Sequence, residues 1–243
     1  MATRAEPIVT LDTVDSTQRV AFELAADGAP DGAVVVANHQ HAGRGRRGRV
    51  WQAAPGTSLL ASIVLRPRLA PPEAPRLSFA AAIAVAEAIE RLTGVTPKLK
   101  WPNDVLLRGR KVAGILLEAR AEASIVVLGI GVNLGQTSFP DDVRDRAISV
   151  LQATGIALDR DRLLTVIRER LDVWRARLTT EGFAPLRERW LELSSTIGRV
   201  VQIDGVTGPA VDLDVSGALI VADGSGRRAI LSGEITEPDA PGR

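Results

Sequence analysis

Between residues 97 and 134 the chain breaks into four short runs of strand-forming residues, Lys98–Trp101, Val105–Leu107, Val112–Ala119 and Ile125–Leu134. They are punctuated by Pro102-Asn103-Asp104 and Arg108-Gly109-Arg110. Connections this short pair neighbouring strands antiparallel, so the segment predicts an antiparallel meander. Upstream, Ile8–Leu11, Ala33–Ala37 and Thr57–Leu65 read as further strands, and Asp15, Ser16 and Thr17 offer capping oxygens to a helix ending near Gly28. A long apolar helix is predicted over Leu77–Leu92, where Phe79, Ile83, Ala86 and Ile89 recur at helical spacing before Gly94. Two amphipathic helices follow, over Asp161–Leu178 and Phe183–Leu193. Past Gly198 the pattern changes to four short alternating segments between Gly-rich turns, the signature of a small barrel. The expected fold is α+β: a mixed, largely antiparallel sheet with helices over 1–195, then a small β-barrel over 196–243, divided near Ser194–Gly198.

Composition narrows the function. Thirty basic against 29 acidic residues leave a net charge of +1, which supplies no global field for nucleic acid or an anionic membrane. With no cysteine, disulfides, thiolate metal sites and a thiol nucleophile are excluded. The N-terminus lacks a secretory pattern and no run approaches the roughly 18 apolar residues of a membrane span, so the expected location is the cytoplasm. Of the basic residues only Lys98, Lys100 and Lys111 are lysine. In so arginine-biased a chain, a lysine either marks a place where a compact point charge is needed or is a chance survivor of the bias, the reading preferred for Lys98.

The densest chemical signal is Gly43-Arg44-Gly45-Arg46-Arg47-Gly48-Arg49, preceded by Gln40 and followed by Trp51. It contains a literal G-x-G-x-x-G, but Pro55-Gly56 and the strand beyond leave no helix N-terminus to receive a pyrophosphate, which argues against a dinucleotide site. An RNA-binding arginine segment would sit in a tail with aromatic interleaving; this one lies between two buried-type strands. The remaining reading is a loop that folds over a small polyanion. Its glycines permit close approach, its guanidinium groups pair with phosphate oxygens, and its like charges keep it poorly ordered until the ligand arrives. A second signal is Lys100-Trp101-Pro102-Asn103-Asp104 with Lys111 and Gly114 after it. Pro102 bends the backbone and projects Asn103 and Asp104; Gly114 weakens its strand unless a ligand or a neighbouring strand packs against it.

In order and spacing these residues resemble the bacterial biotin–protein ligases: Asp15-Ser16-Thr17, Gln40 to Arg49 with Trp51, Lys100 to Asp104, Lys111 to Leu116, Gly129 to Asn133, and Gly217-Ala218-Leu219 and Gly233-Glu234-Ile235 near the C-terminus. The resemblance implies a class II synthetase-like catalytic domain with an SH3-like barrel after it. It also implies a ligase that makes biotinyl-5'-AMP from biotin and ATP with Mg2+, then passes biotin to a lysine of a biotin carboxyl carrier protein domain. Biotin-binding residues would be Ser16, Thr17, Gln18, Gln40, Arg44, Gly45, Arg46, Lys111 and Gly114. ATP would be met by Arg46, Arg49, Trp51, Asn103, Lys111 and Asn133, and magnesium by Asp104. The catalytic set would be Lys111, Arg46, Asn103 and Asp104, with Lys111 stabilising charge at the α-phosphate.

The chain departs from the family pattern at Gln18, where asparagine is common, at His41, and at Asp212, where glycine is expected. No winged-helix segment precedes the first strand, so repressor activity is not expected, and neither a nucleic-acid nor a membrane partner is. Monomer and homodimer both stay open. Lipoate–protein ligase is the nearest alternative, but its arginine pair with a glycine-rich aromatic motif is not found. A nucleic-acid module would rest on Arg44–Arg49 alone, and a silent biotin binder would have no use for Lys111, Asn103 and Asp104.

Overall fold

A computed structural model describes residues 7–120 and 125–236. Its larger sheet has seven strands: β1 (Ile8–Val14), β2 (Val34–Gln40), β3 (Ser58–Leu65), β4 (Lys98–Lys100), β5 (Asp104–Leu107), β6 (Arg110–Arg120) and β7 (Ile125–Asn133), in the order β1-β2-β3-β7-β6-β5-β4. Helix α1 (Thr17–Ala26) is the crossover that lets β1 and β2 run parallel. All other pairings are antiparallel, so the expected meander is present over β4 to β7.

Alternation along β7 separates the two faces of the sheet. Val126, Leu128, Ile130 and Val132 enter the main core, whereas Ile125 and Val127 pack with Ala21, Phe22 and Ala25 of α1. By the same parity Gly129 and Gly131 carry on the α1 face past the end of that helix, and Gly114 of β6 is paired beside Gly131. The sheet therefore ends one face in a patch without side chains, next to the N-terminus of α1. The site lies there.

The opposite face is closed by α2 (Arg76–Thr93), with α4 (Arg160–Glu181) and α5 (Ala184–Leu193) outside it. Because α2 lies between a sheet and two helices it is buried almost all round, from Leu77 to Ile89, and Gly94 ends it at φ 72°. Fully burying one such leucine or isoleucine contributes about 1.5–3 kcal/mol, so this layer carries much of the stability. A short helix α3 (Val150–Thr154), capped by Ser149, has too few residues to show a helical period in the sequence.

Strands β8 (Val200–Ile203), β9 (Val206–Leu213), β10 (Leu219–Asp223) and β11 (Gly226–Ile230) form a second sheet in the order β11-β10-β9-β8. Among the described residues no pairing joins β8 to β11, so the expected barrel is an open four-stranded sheet. The last alternating segment of the sequence, residues 229–235, is not a strand over its length. β11 begins at Gly226, and beyond it only a bridge from Thr236 to Gln202 is formed. Gly233 packs so closely on β8 that a β-carbon there would lie 2.3 Å from Ile203 Cγ2. This sheet is fixed to the first layer and its helices. Trp101 Nε1 donates to Gly217 O (3.2 Å), Gly217 lies so close to Phe79 of α2 that a β-carbon would be 2.7 Å from its ring, and Arg187 of α5 donates to Leu213 O and pairs with Asp212. That pairing explains aspartate at position 212.

Candidate active site

The polar end of the bare patch starts at the cap of α1. Ser16 Oγ accepts from Gln18 N (3.3 Å), and Asp15 accepts from Ser16 N (2.7 Å) while pairing with Arg19. The Arg19 guanidinium and the Ser16 amide hold the Asp15 carboxyl down at about 2. Thr17 and Gln18, both buried, point into the sheet. Thr17 N donates to Gln40 Oε1 at 2.7 Å, and Thr17 Oγ1 lies 3.0 Å from that oxygen and 2.9 Å from Ser62 Oγ. Ser62 Oγ donates to Gln18 Oε1 (3.0 Å), and Gln18 Nε2 donates to Val127 O (3.0 Å). The longer amide of Gln18 has its room because residue 129 is glycine: a β-carbon there would sit 2.8 Å from Gln18 Oε1. Ser62 was not predicted. A lone serine in an apolar strand reads as a tolerated strand residue until the register places it opposite the helix cap.

Trp51 covers the glycine patch. A β-carbon on Gly131 would come within 2.7 Å of its ring and one on Gly114 within 3.0 Å, while Lys111 Nζ stands 5.6 Å from the ring centroid. Trp51 Nε1 is buried without a partner among the described residues. Lys111 Nζ is 2.5 Å from Asp104 Oδ1. The bend after the cis Trp101-Pro102 peptide brings Asn103 against β6, where Asn103 Nδ2 donates to Ile115 O (2.7 Å) and Asn103 Oδ1 accepts from Arg46 at 3.4 Å. Arg46, Asn103, Asp104, Lys111 and Trp51 thus form one cluster. Asn133 does not join it: buried, it donates to Ile148 O and accepts from Gln136.

The arginine loop is folded where disorder was expected. It is a narrow hairpin with a bridge from Arg44 to Val50, Gly45 N donating to Arg49 O (2.7 Å) and a single 3-10 turn over Arg46–Gly48. Carboxylates distant in sequence explain why its charges do not drive it apart. Arg44 meets Glu118 at 3.0 Å, Arg47 faces Asp204 at 3.6 Å, and Arg49 pairs with Glu234. Among the described residues Arg46 has no such acid in contact. Burial pushes its guanidinium below the usual value, Asp104 counteracts in part, and Arg47 and Arg49 add to the depression. An anion arriving beside Arg46 would relieve that excess of positive charge.

Beneath the loop lies a cleft of about 400 Å3, bounded by residues 42–50, Leu116 and Glu118, a size suited to a small molecule. Arg46 is part of its wall; Lys111, beside Trp51, and the hydrogen-bonded pair of Thr17 and Gln40 lie outside that lining. No helix among the described residues is long and apolar enough to cross a membrane, and no group of three or more metal-binding side chains is found among them.

The sequence model of the biotin/lipoate A/B protein ligase family matches residues 10–134, and that of the biotin protein ligase C terminal domain matches 196–236. The chain is 40% identical over 239 residues to the biotin--[acetyl-CoA-carboxylase] ligase of Paracoccus denitrificans, covering 93% of this chain and 98% of that one. It is 39% identical over 237 residues to the Mycobacterium tuberculosis protein of the same name, covering 91% and 86%. The structure is similar, with TM-score 0.85 and 30% identity over 95% of this chain and 98% of the other, to the biotin protein ligase of Aquifex aeolicus in complex with biotin and ATP.

Proposed function

The chain belongs to the biotin/lipoate A/B protein ligase family, and on that premise we infer that it activates biotin with ATP as biotinyl-5'-AMP and transfers the biotinyl group to a lysine of a biotin carboxyl carrier protein. The observation that carries this reading is the convergence on one sheet face of a neutral polar pair, Thr17 with Gln40, and a cationic cluster, Arg46 with Lys111. A urea ring needs the first and a carboxylate reacting with a triphosphate needs the second.

In the first step a biotin carboxylate oxygen attacks the α-phosphorus; an O–P bond forms as the bond to pyrophosphate breaks. Lys111 faces the oxygens on which charge builds, and a cation already in place lowers the barrier because it does not have to reorganise. Arg46, held against Asn103, closes over the anhydride. Ser16, Gln18, Arg44 and Gly45 complete the biotin side of this reading, and Arg49 and Trp51 the nucleotide side. Asn133 supports that side from behind, since its side chain is engaged within the core. Magnesium, when bound with ATP, neutralises phosphate oxygens. Asp104 would hold it, in keeping with an ion that takes one or two carboxylates and completes its shell with phosphate and water.

In the second step the acceptor amine attacks the acyl carbon and AMP departs with the bonding pair. Asp104, the one carboxylate of the cluster, helps position the amine, whose proton passes to solvent. The catalytic unit would span 1–195 and the C-terminal unit 196–243. We place the enzyme in the cytoplasm, without a nucleic-acid partner, and as monomer or homodimer. Incubating the protein with biotin and ATP and looking for biotinyl-AMP by mass spectrometry tests the reading. Adenylate formed from lipoate instead would overturn it.

A further inference from the structure

Strict alternation along β6 would put Lys111, three residues from Gly114, on the face opposite that glycine and inside the core. It is not there: a β-carbon on Gly114 would lie 3.1 Å from Lys111 Cε. The ladder with β5 gives the reason. Val105 pairs with Ala113 and Leu106 with Lys111, so Val112 is an extra residue, and Val112 and Ala113 both enter the main core. A bulge of this kind re-aims the side chain next to it. On its other flank β6 has lost its neighbour, because its ladder with β7 ends where Ala113 meets Val132. The chain returns to that gap as a strap. Lys111 N donates to Arg146 O (2.7 Å) and Lys111 O accepts from Ile148 N (3.0 Å), which makes a parallel bridge with Ala147.

We propose that Asn133 is a positioning residue for Lys111: standing at the end of β7, it ties that strand to the strap through Ile148 and so holds the bulge that turns Lys111 onto the glycine face. Asn133 Nδ2 donates to Ile148 O at 3.2 Å, and the amide of that same residue is the one that donates to Lys111. Asn133 is oriented in turn by Gln136, whose Nε2 donates to Asn133 Oδ1 (3.1 Å) and to Ser58 Oγ (2.6 Å). Ser149 Oγ donates to Gln136 O (2.6 Å). All four side chains are buried, so water does not replace a bond that is lost. Asn133 touches no reacting atom; it acts through Ile148 and the Lys111 backbone. The proposal rests on the biotin ligase reading and adds what aims the cation of its first step.

The test is single-turnover formation of biotinyl-AMP at saturating biotin and ATP by the full chain with Asn133→Ala, alone and combined with Lys111→Ala. Without Asn133 the strap loses its tie to β7 and the ammonium no longer stands where charge develops. A displacement of about 1 Å costs up to about a hundredfold, so the expected rate is about ten- to a hundredfold lower. In the Lys111→Ala background the same substitution should cost less than about twofold, because no ammonium is left to aim. Asn133→Asp has the same shape, keeps the acceptor for Gln136 and, when ionised, offers Ile148 O no donor. It should reproduce the loss, and it serves as the test if the alanine variant does not fold. A parental rate in a variant whose parent adenylates biotin would overturn this proposal alone. An equal loss with and without Lys111 would overturn it too, since a general loosening of the fold acts alike in both backgrounds. A loss abolished by raising ATP further would make Asn133 a nucleotide contact instead, and a parent that makes no biotinyl-AMP would remove the ligase reading beneath it.

Discussion

Trp51 occupies the space that a side chain at position 131 would need: a β-carbon on Gly131 would come within 2.7 Å of the indole. The glycine is thus a seat for the tryptophan, and the tryptophan in turn stands beside Lys111. Gly131→Ala should displace the ring at a cost of about 1–3 kcal/mol, typical of overpacking. Weaker biotin and ATP binding by calorimetry, with a lowered Tm, is the expected outcome. Parental affinities for both ligands would show that the ring does not need its glycine seat.

Lys111 and Asp104 form a pair that is partly exposed on both sides, worth no more than about 1 kcal/mol to stability. Lys111→Ala should therefore leave the fold intact and remove its contribution to the transition state, lowering the adenylation rate about a hundred- to a thousandfold. Single-turnover formation of biotinyl-AMP measures this directly, with the Tm as the control. A wild-type rate would take Lys111 out of the mechanism.

These two sites differ in how much of them can be read before folding. The apolar period of α2, the cap at Ser16 and the turns between β4, β5 and β6 are local properties, and each stands where periodicity and turn chemistry put it. The pairing of β3 with β7 is not local; it joins Ser58 to Asn133 and decides which face meets α1. Ser62 acquires a role only through that pairing. The arginine loop makes the same point from the charge side. Four adjacent arginines imply repulsion, but Glu118, Asp204 and Glu234 come to them from three separate segments and fold the loop. The open form of the second sheet was hidden because alternation counts strands without saying whether the first meets the last.

Asp15 provides a pH marker for the helix that carries the ureido side of the site. Its carboxyl is held at about 2 by Arg19 and the Ser16 amide. A depressed carboxylate stabilises the fold fully above its unfolded value near 4, and the contribution is lost as pH falls through the folded one. The amide signals of Ser16 and Arg19 should stay constant from neutral pH to about pH 3 and titrate with a midpoint near 2. A midpoint close to 4 would mean that the Asp15–Arg19 pair does not hold in solution.

The second sheet reaches the arginine loop through Arg47–Asp204 and Arg49–Glu234. Both pairs are exposed and each is worth at most about 1 kcal/mol, so together they bias the loop without locking it. Asp204→Asn combined with Glu234→Gln should speed amide hydrogen exchange over residues 43–50 in the free protein, and added salt should do the same to the parent. The same exchange rate in both proteins at low salt would show that backbone bonds alone hold the hairpin.

Arg46 differs from its neighbours in the loop. Its guanidinium is turned inward to Asn103, half-buried and short of negative charge. An acyl phosphate bound below would supply that charge, and the attraction works in both directions: the anion draws the arginine down and the arginine keeps the anion in. Arg46→Ala should therefore change retention more than formation. Biotinyl-AMP made in a single turnover should leave the variant at least about tenfold faster, the loss of one charge-assisted contact. Free adenylate should then biotinylate lysines on bystander proteins. Trapping radiolabelled adenylate on the enzyme by rapid filtration gives the off-rate. If the label stays bound as long as in the parent, the arginine is not the part of the loop that closes over the anhydride.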